Sequence, residues 1–252
     1  NSSSPSSVDI HEVNKFSLLA RTNEWWNPNG ALKTLHHINP TRMEYIRSQI
    51  VKHFNISDNT HEPLKGLNIL DVGCGGGLVS ECLARLGANV TGLDASLDNI
   101  NIARTHNTSL NNLNYIHSTV ENLLYNNEST KFDCIVSVEV IEHVAHAQSF
   151  VHNLSKLLKP NGFLILSTMN RTPKSYLYTI VMAEYVLNLV PRGTHEWRKY
   201  VTPQEMVIFM NQANVKLYDV QGMEYNPLLN KAFIEKNTEI DVNYFITGVK
   251  QE

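Results

Sequence analysis

The chain has 252 residues, 42% of them hydrophobic, with 21 Lys and Arg against 24 Asp and Glu and a formal net charge of −3. That length suits one domain with a sizeable core, and a pI of about 6.4 excludes a basic nucleic-acid footprint. No run of about 18 or more apolar residues, the length of a transmembrane helix, occurs.

Residues 1–7 are Ser-rich and are expected to be disordered. The chain begins at Asn1 rather than Met, which implies an upstream segment cleaved or left out; a removed targeting peptide would leave no trace. Residues 8–26 read as an amphipathic helix ending in aromatics. Asn39-Pro40 starts a second, residues 41–53, with Met43, Ile46 and Ile50 on one face. Residues 8–60 thus form an N-terminal helical extension. Strands then alternate with helices: strands at 67–71, 88–94, 113–117, 133–138 and 162–168, helices near 77–86, 97–106 and 146–158. Lys159-Pro160-Asn161-Gly162 reads as a turn before the fifth strand. Such alternation implies a parallel sheet covered on both faces. Residues 171–200 are too long for an ordinary connection and read as an insertion. A helix at 203–212 and two weakly alternating strands, 215–222 and 242–249, follow. No internal repeat occurs, and residues 1–252 read as one domain.

The stretch Asp71-Val72-Gly73-Cys74-Gly75-Gly76-Gly77 lies between the first strand and its helix. Glycines there let a ligand approach the backbone. The next strand ends in Asp94, placed where a nucleotide-binding βαβ unit holds ribose hydroxyls. A dinucleotide fingerprint would need glycine at position 78, which is Leu78. The pattern instead resembles motif I of the class I S-adenosylmethionine methyltransferases. That resemblance implies a Rossmann-like fold: a seven-stranded, mostly parallel sheet with one antiparallel strand and helices on both faces. Asp71, Gly73, Gly75 and Asp94 become candidate cofactor contacts. The bland alternative is a plain glycine-rich turn, and the complete order of strand, loop, helix, strand and acid argues against it.

Glu139, Glu142 and His143 follow the fourth strand at spacing i, i+3, i+4, where a helical turn would project all three to one side. They are either ligands for a divalent cation or residues that cap a helix and line the pocket. His195, in Gly193-Thr194-His195-Glu196-Trp197, is either a general base or substrate contact or an exposed loop histidine. The apolar residues 176–190, flanked by Lys174 and Arg192, suit an interfacial helix with tyrosines at headgroup level, or equally a helix packed on the sheet or at a dimer contact. Cys74, Cys82 and Cys134 are odd in number and without zinc spacing, so they are expected to be reduced, buried thiols.

His36-His37-Ile38-Asn39-Pro40-Thr41-Arg42, the glycine loop, Thr91-Gly92-Leu93-Asp94, residues 139–144, Ser167-Thr168-Met169-Asn170-Arg171, Pro191-Arg192-Gly193-Thr194-His195 and Asp241-Val242-Asn243-Tyr244 occur in that order. Together they resemble the ubiquinone-biosynthesis O-methyltransferases over residues 8–249. The resemblance implies methylation of catechol hydroxyls on polyprenylated precursors. It implies that Arg42, Gly73, Asp94 and Val138 contact S-adenosylmethionine and that Glu139, Glu142 and His143 hold Mg²⁺ or another divalent cation. His143, His195 and Glu142 are the candidate catalytic groups; without a cation, His143 or His195 would have to accept the proton. It also implies membrane association through the insertion, at the matrix face of the mitochondrial inner membrane or in a bacterial cytoplasm, beside other ubiquinone-biosynthesis proteins. Mitochondrial members carry an N-terminal targeting peptide that is not among these residues. Two alternatives stand: a methyltransferase of another small lipophilic or soluble substrate, and a non-catalytic scaffold subunit with the same fold.

Overall fold

The alternation of apolar strands with helices builds a parallel sheet, and every strand of its first half runs into a helix on one face or the other. The computed structural model describes residues 7–21, 25–30, 32–57, 59–126, 131–186, 193–234 and 238–252. Two helices come first, α1 (Ile10–Arg21) and α2 (Lys33–His53). The alternating core follows as β1 (Asn68–Val72), α3 (Leu78–Arg85), β2 (Asn89–Asp94), α4 (Leu97–His106), β3 (Leu113–His117), α5 (Val120–Asn126), β4 (Phe132–Val138), α6 (Ala147–Leu157) and β5 (Leu158–Met169). A short turn α7 (Pro173–Ser175) then opens into a π-helical segment, Tyr176–Val186. The chain closes with α8 (Pro203–Gln212), β6 (Val215–Asn226), β7 (Lys231–Phe233) and β8 (Asn243–Lys250).

The sheet order is β3-β2-β1-β4-β5-β8-β6-β7. Strands β3 to β5 are mutually parallel, and β8 runs antiparallel to both β5 and β6. One face packs Ile46, Ile50, Leu83 and Ile100 from α2, α3 and α4. The other packs Phe150, Leu154, Met206 and Met210 from α6 and α8. Each fully buried side chain of this kind stabilises the fold by about 1.5–3 kcal/mol. On α6, Phe150, Val151, Leu154 and Leu157 recur at helical spacing on the buried face. α8 starts at a capping box between Thr202 and Glu205 with Pro203 at its first position.

Five expectations change. The sheet has eight strands rather than seven: β6 runs on to Asn226, past its last pairing with β8, and the three-residue β7 folds back onto that edge. A strand so short shows no alternation in sequence. α2 begins at Lys33 and carries Pro40 inside it; burial of Ile38, Asn39 and Arg42 on its inner face outweighs the cost of an interior proline. α1 ends at Arg21, and Trp25 and Trp26 sit in a turn instead of on the helix. α5 was not legible as a helix. The turn at 159–162 is a kink within β5, with Asn161 at φ 59° and three extra residues bulged out between the Phe132–Leu158 and Cys134–Phe163 pairs. The expectation of disorder falls on residues 1–6, outside the described residues. Ser7 itself is buried, and its carbonyl accepts a bond from the Ala145 amide (2.8 Å). Cys74, Cys82 and Cys134 are all free, Cys82 only half-buried. No helix among the described residues is long and apolar enough to cross a membrane.

Candidate active site

The strand order reverses between β1 and β4, and in such sheets ligands bind in the crevice at the carboxyl ends of the strands beside that point. A cavity of about 830 Å³ opens there. Arg42, Asp71, Gly73, Gly75, Asp94, Val138, Glu139, Glu142, His143 and His195 all line it. The structure therefore gathers every site residue singled out in the sequence.

The glycine loop folds under one end. Gly73 (φ 72°) and Gly75 (φ 54°) hold left-handed backbone. A Cβ on Gly73 would lie 2.4 Å from Val140, and one on Gly75 2.2 Å from the Trp25 ring, so neither position admits a side chain. The Gly75 amide donates to Asp94 Oδ2 (2.9 Å), while the Ser96 amide (2.8 Å) and Asn99 Nδ2 (3.2 Å) donate to Oδ1. Burial raises the Asp94 carboxyl, and those bonds oppose it. Trp25 Nε1 donates to Asn99 Oδ1 (3.0 Å), which ties the turn after α1 to the acid. Val138 offers the cavity only packing and backbone.

Asp71 is buried and accepts a bond from Ser80 Oγ (2.5 Å). Burial pushes its carboxyl up to about 7, against the pull of that hydroxyl. Arg42 is buried, and its Nε and Nη2 have no partner among the described residues. Burial lowers its pKa, while Glu139, Glu142 and Asp71 oppose that. A guanidinium with unpaired N–H groups beside a cavity calls for an anionic ligand group.

Glu139 sits just past β4 at φ 55°, a strained conformation for a residue with a Cβ. Ser167 Oγ donates to its Oε1 (2.8 Å), and Asn243 Nδ2 lies 3.4 Å from its Oε2. Glu142 is buried; Thr168 Oγ1 donates to its Oε2 (2.8 Å), and its Oε1 has no partner among the described residues. Burial, and then Glu139 beside it, hold the Glu142 carboxyl well above the usual range. His143 lines the same cavity. Its Nδ1 bonds Glu12 Oε2 of α1 (2.8 Å), and its ring meets Phe16 edge-on at 4.9 Å. Among the described residues no three His, Cys, Asp or Glu side chains gather as a metal site. The predicted trio is thus a carboxylate pair with the histidine committed to α1.

His195 lines the cavity from the loop after the π-helical segment, with its Nδ1 2.9 Å from Glu184 Oε1. Of the apolar segment, residues 187–190 and Arg192 lie outside the described residues. Leu177 and Tyr185 are exposed, whereas Ile180 and Val181 are half-buried. Lys174 pairs with Glu239 and Asp241.

The methyltransferase-domain family matches residues 18–220. A mitochondrial ubiquinone biosynthesis O-methyltransferase of Arabidopsis thaliana is 44% identical over 99% of this chain and 77% of its own length. A ubiquinone biosynthesis O-methyltransferase of Ruegeria is 44% identical over 97% of this chain and 98% of its own. This chain belongs to the ubiquinone biosynthesis O-methyltransferases. It is an S-adenosylmethionine-dependent enzyme with the Rossmann-like fold of that class. Among solved structures, magnesium protoporphyrin IX methyltransferase from Synechocystis with bound SAH shares the fold at TM-score 0.58 and 18% identity, covering 88% of this chain and 85% of its own. A methyltransferase from Thermotoga maritima does so at TM-score 0.64 and 16% identity, covering 96% and 100%.

Within this O-methyltransferase the sequence left four site residues unmarked: Glu12, Trp25, Asn99 and Glu184. The first three reach the site across 131, 74 and 5 residues of chain, by bonds to His143, Asn99 and Asp94. Glu184 alone carried a local signal, as the one acid in the apolar run Tyr176–Val186.

Proposed function

We propose that this enzyme transfers the methyl group of S-adenosylmethionine to a ring hydroxyl of a polyprenylated catechol in ubiquinone biosynthesis. One observation carries the reading: a single cavity joins the glycine loop, Arg42 and Asp94 to two carboxylates and two histidines, and continues to Tyr178, Met182 and Leu228 beside exposed apolar surface. The sulfonium is already activated, so the protein's tasks are alignment and removal of the phenolic proton. Arg42 would hold the cofactor's carboxylate, Asp94 its ribose hydroxyls, and Val138 one side of its pocket. The mitochondrial relative of Arabidopsis and the bacterial one of Ruegeria are consistent with a mitochondrial or bacterial workplace; the matrix side of the inner membrane, or a membrane-associated place in a bacterial cytoplasm, belongs to this reading on the resemblance alone. Association with other proteins of the same biosynthesis belongs to this reading on the resemblance alone.

A divalent cation such as Mg²⁺ fits part of the site. The orphaned Oε1 of Glu142 and the carboxylate of Glu139 are its candidate ligands, and such ions commonly take one or two carboxylates. His143 does not join them, since among the described residues no three His, Cys, Asp or Glu side chains gather closely enough to hold an ion. When bound, the ion would lower the pKa of the catechol and orient its oxygens. The purified enzyme with S-adenosylmethionine and a short-chain prenylated catechol should yield a mono-O-methyl product by mass spectrometry. A chelator should abolish that product and Mg²⁺ restore it. Undiminished activity in chelator contradicts the cation, and no product with bound cofactor contradicts the substrate.

A further inference from the structure

Glu184 is a buried, multiply bonded carboxylate outside the cofactor end of the site. Its side chain is 1% exposed, yet it lies in an otherwise apolar segment. It accepts three N–H bonds from one short loop: the Gly193 amide on Oε2 (2.6 Å), and the His195 amide (2.8 Å) and His195 Nδ1 (2.9 Å) on Oε1. Burial raises this carboxyl, but the bonds from His195 and the two amides outweigh it and hold it below its ordinary range, as an anion. The same loop is tied from above. Lys15 Nζ on α1 donates to the carbonyls of Gly193 (2.5 Å) and Thr194 (2.6 Å). A buried acid and a base from another element thus fix one loop, and the side chain they present to the cavity is His195.

The bond to Glu184 also sets the tautomer. An anion on Nδ1 keeps the proton there and leaves Nε2 with its lone pair. His143 has a similar bond to Glu12, but Glu12 shares its charge with Lys15 (3.7 Å) and Lys199 (3.6 Å). The only ion pair of Glu184 among the described residues is with His195.

We propose that His195 accepts the phenolic proton during methyl transfer, with Glu184 as the positioning residue that fixes its tautomer and orientation. This rests on the catechol reading above. The O–H proton moves to Nε2 as the oxygen attacks the methyl carbon. The new O–CH₃ bond forms while the C–S bond breaks, its electron pair returning to sulfur. The positive charge of the sulfonium ends on the imidazolium, which then releases its proton to water.

The test compares a short-chain prenylated catechol with the same compound carrying a ring nitro group para to the accepting hydroxyl, which is largely ionised near neutral pH and needs no base. His195→Gln and Glu184→Gln should each lower kcat on the ordinary catechol about 100-fold, the scale of general-base contributions, with KM for S-adenosylmethionine unchanged. On the nitro compound the loss should be tenfold or less. Equal losses on both compounds would make the pair purely structural and overturn the proposal, as would wild-type rates in either variant. Should Glu184→Gln not fold, His195→Gln alone decides the matter. If the wild-type protein binds cofactor yet methylates neither compound, the catechol reading fails first and the proposal with it.

Discussion

Asp94 and Asp71 stand at the ends of neighbouring strands and do different work. Asp94 already gathers two amides and Asn99, and its remaining acceptor capacity faces the cavity. Loss of its bonds to buried hydroxyls costs about 1–3 kcal/mol. Asp94→Ala should therefore weaken S-adenosylmethionine binding about tenfold or more, measured by calorimetry on a folded variant; unchanged affinity would contradict the assignment. Asp71, which also lines the cavity, bears on stability as well. Its folded pKa of about 7 lies above its unfolded value, so between about pH 4 and 7 the folded state keeps a proton the unfolded state has lost, and its contribution to stability falls as pH rises. Asp71→Asn removes that dependence. In cofactor-free melts its stability relative to wild type should grow by about 2–4 kcal/mol from pH 4 to 7 and level off above; a difference that shrinks over that range contradicts the account. The glycines and Asp94 were legible because their geometry is local to one βαβ unit. Glu12, Trp25 and Glu184 were not, because their partners are set by how α1 and the π-helical segment lie across the sheet.

At the scale of elements, the first five strands and four of the helices between and after them could be read from apolar periodicity, with ends displaced by a few residues. α5, β7 and the early start of α2 could not. Each is short or breaks a local preference, and packing decides it. The π-helical segment was legible as apolar but not in orientation. Thr179 and Glu184 are buried on its inner side, while Leu177, Tyr178, Tyr185 and Val186 are exposed. Lys174 is neutralised by Glu239 and Asp241, which leaves apolar insertion as the segment's main route to a bilayer. Leu177→Glu with Val186→Glu should reduce flotation with liposomes severalfold and slow turnover of a long-chain substrate, while a soluble catechol is still methylated. Equal loss on both substrates with a lower melting temperature would make these side chains packing residues.

Across the whole molecule, one cavity runs from the glycine loop to the apolar segment, roofed by α1, whose Glu12 bonds His143 and pairs with Lys199 and whose Lys15 bonds the loop at 193–194. The sequence motifs mark its floor, because β1, β2 and β4 end there in chain order. The roof is held by contacts between segments more than 100 residues apart, which no motif records. The central claim is that this cavity brings the sulfonium methyl to a phenolic oxygen. The most direct measurement uses S-adenosylmethionine with a deuterated methyl group and a prenylated catechol, with the product read by mass spectrometry and NMR. The account predicts a single deuterated methyl on a catechol oxygen and a stoichiometric yield of S-adenosylhomocysteine. A methyl on ring carbon, or cofactor bound with none transferred, would contradict it.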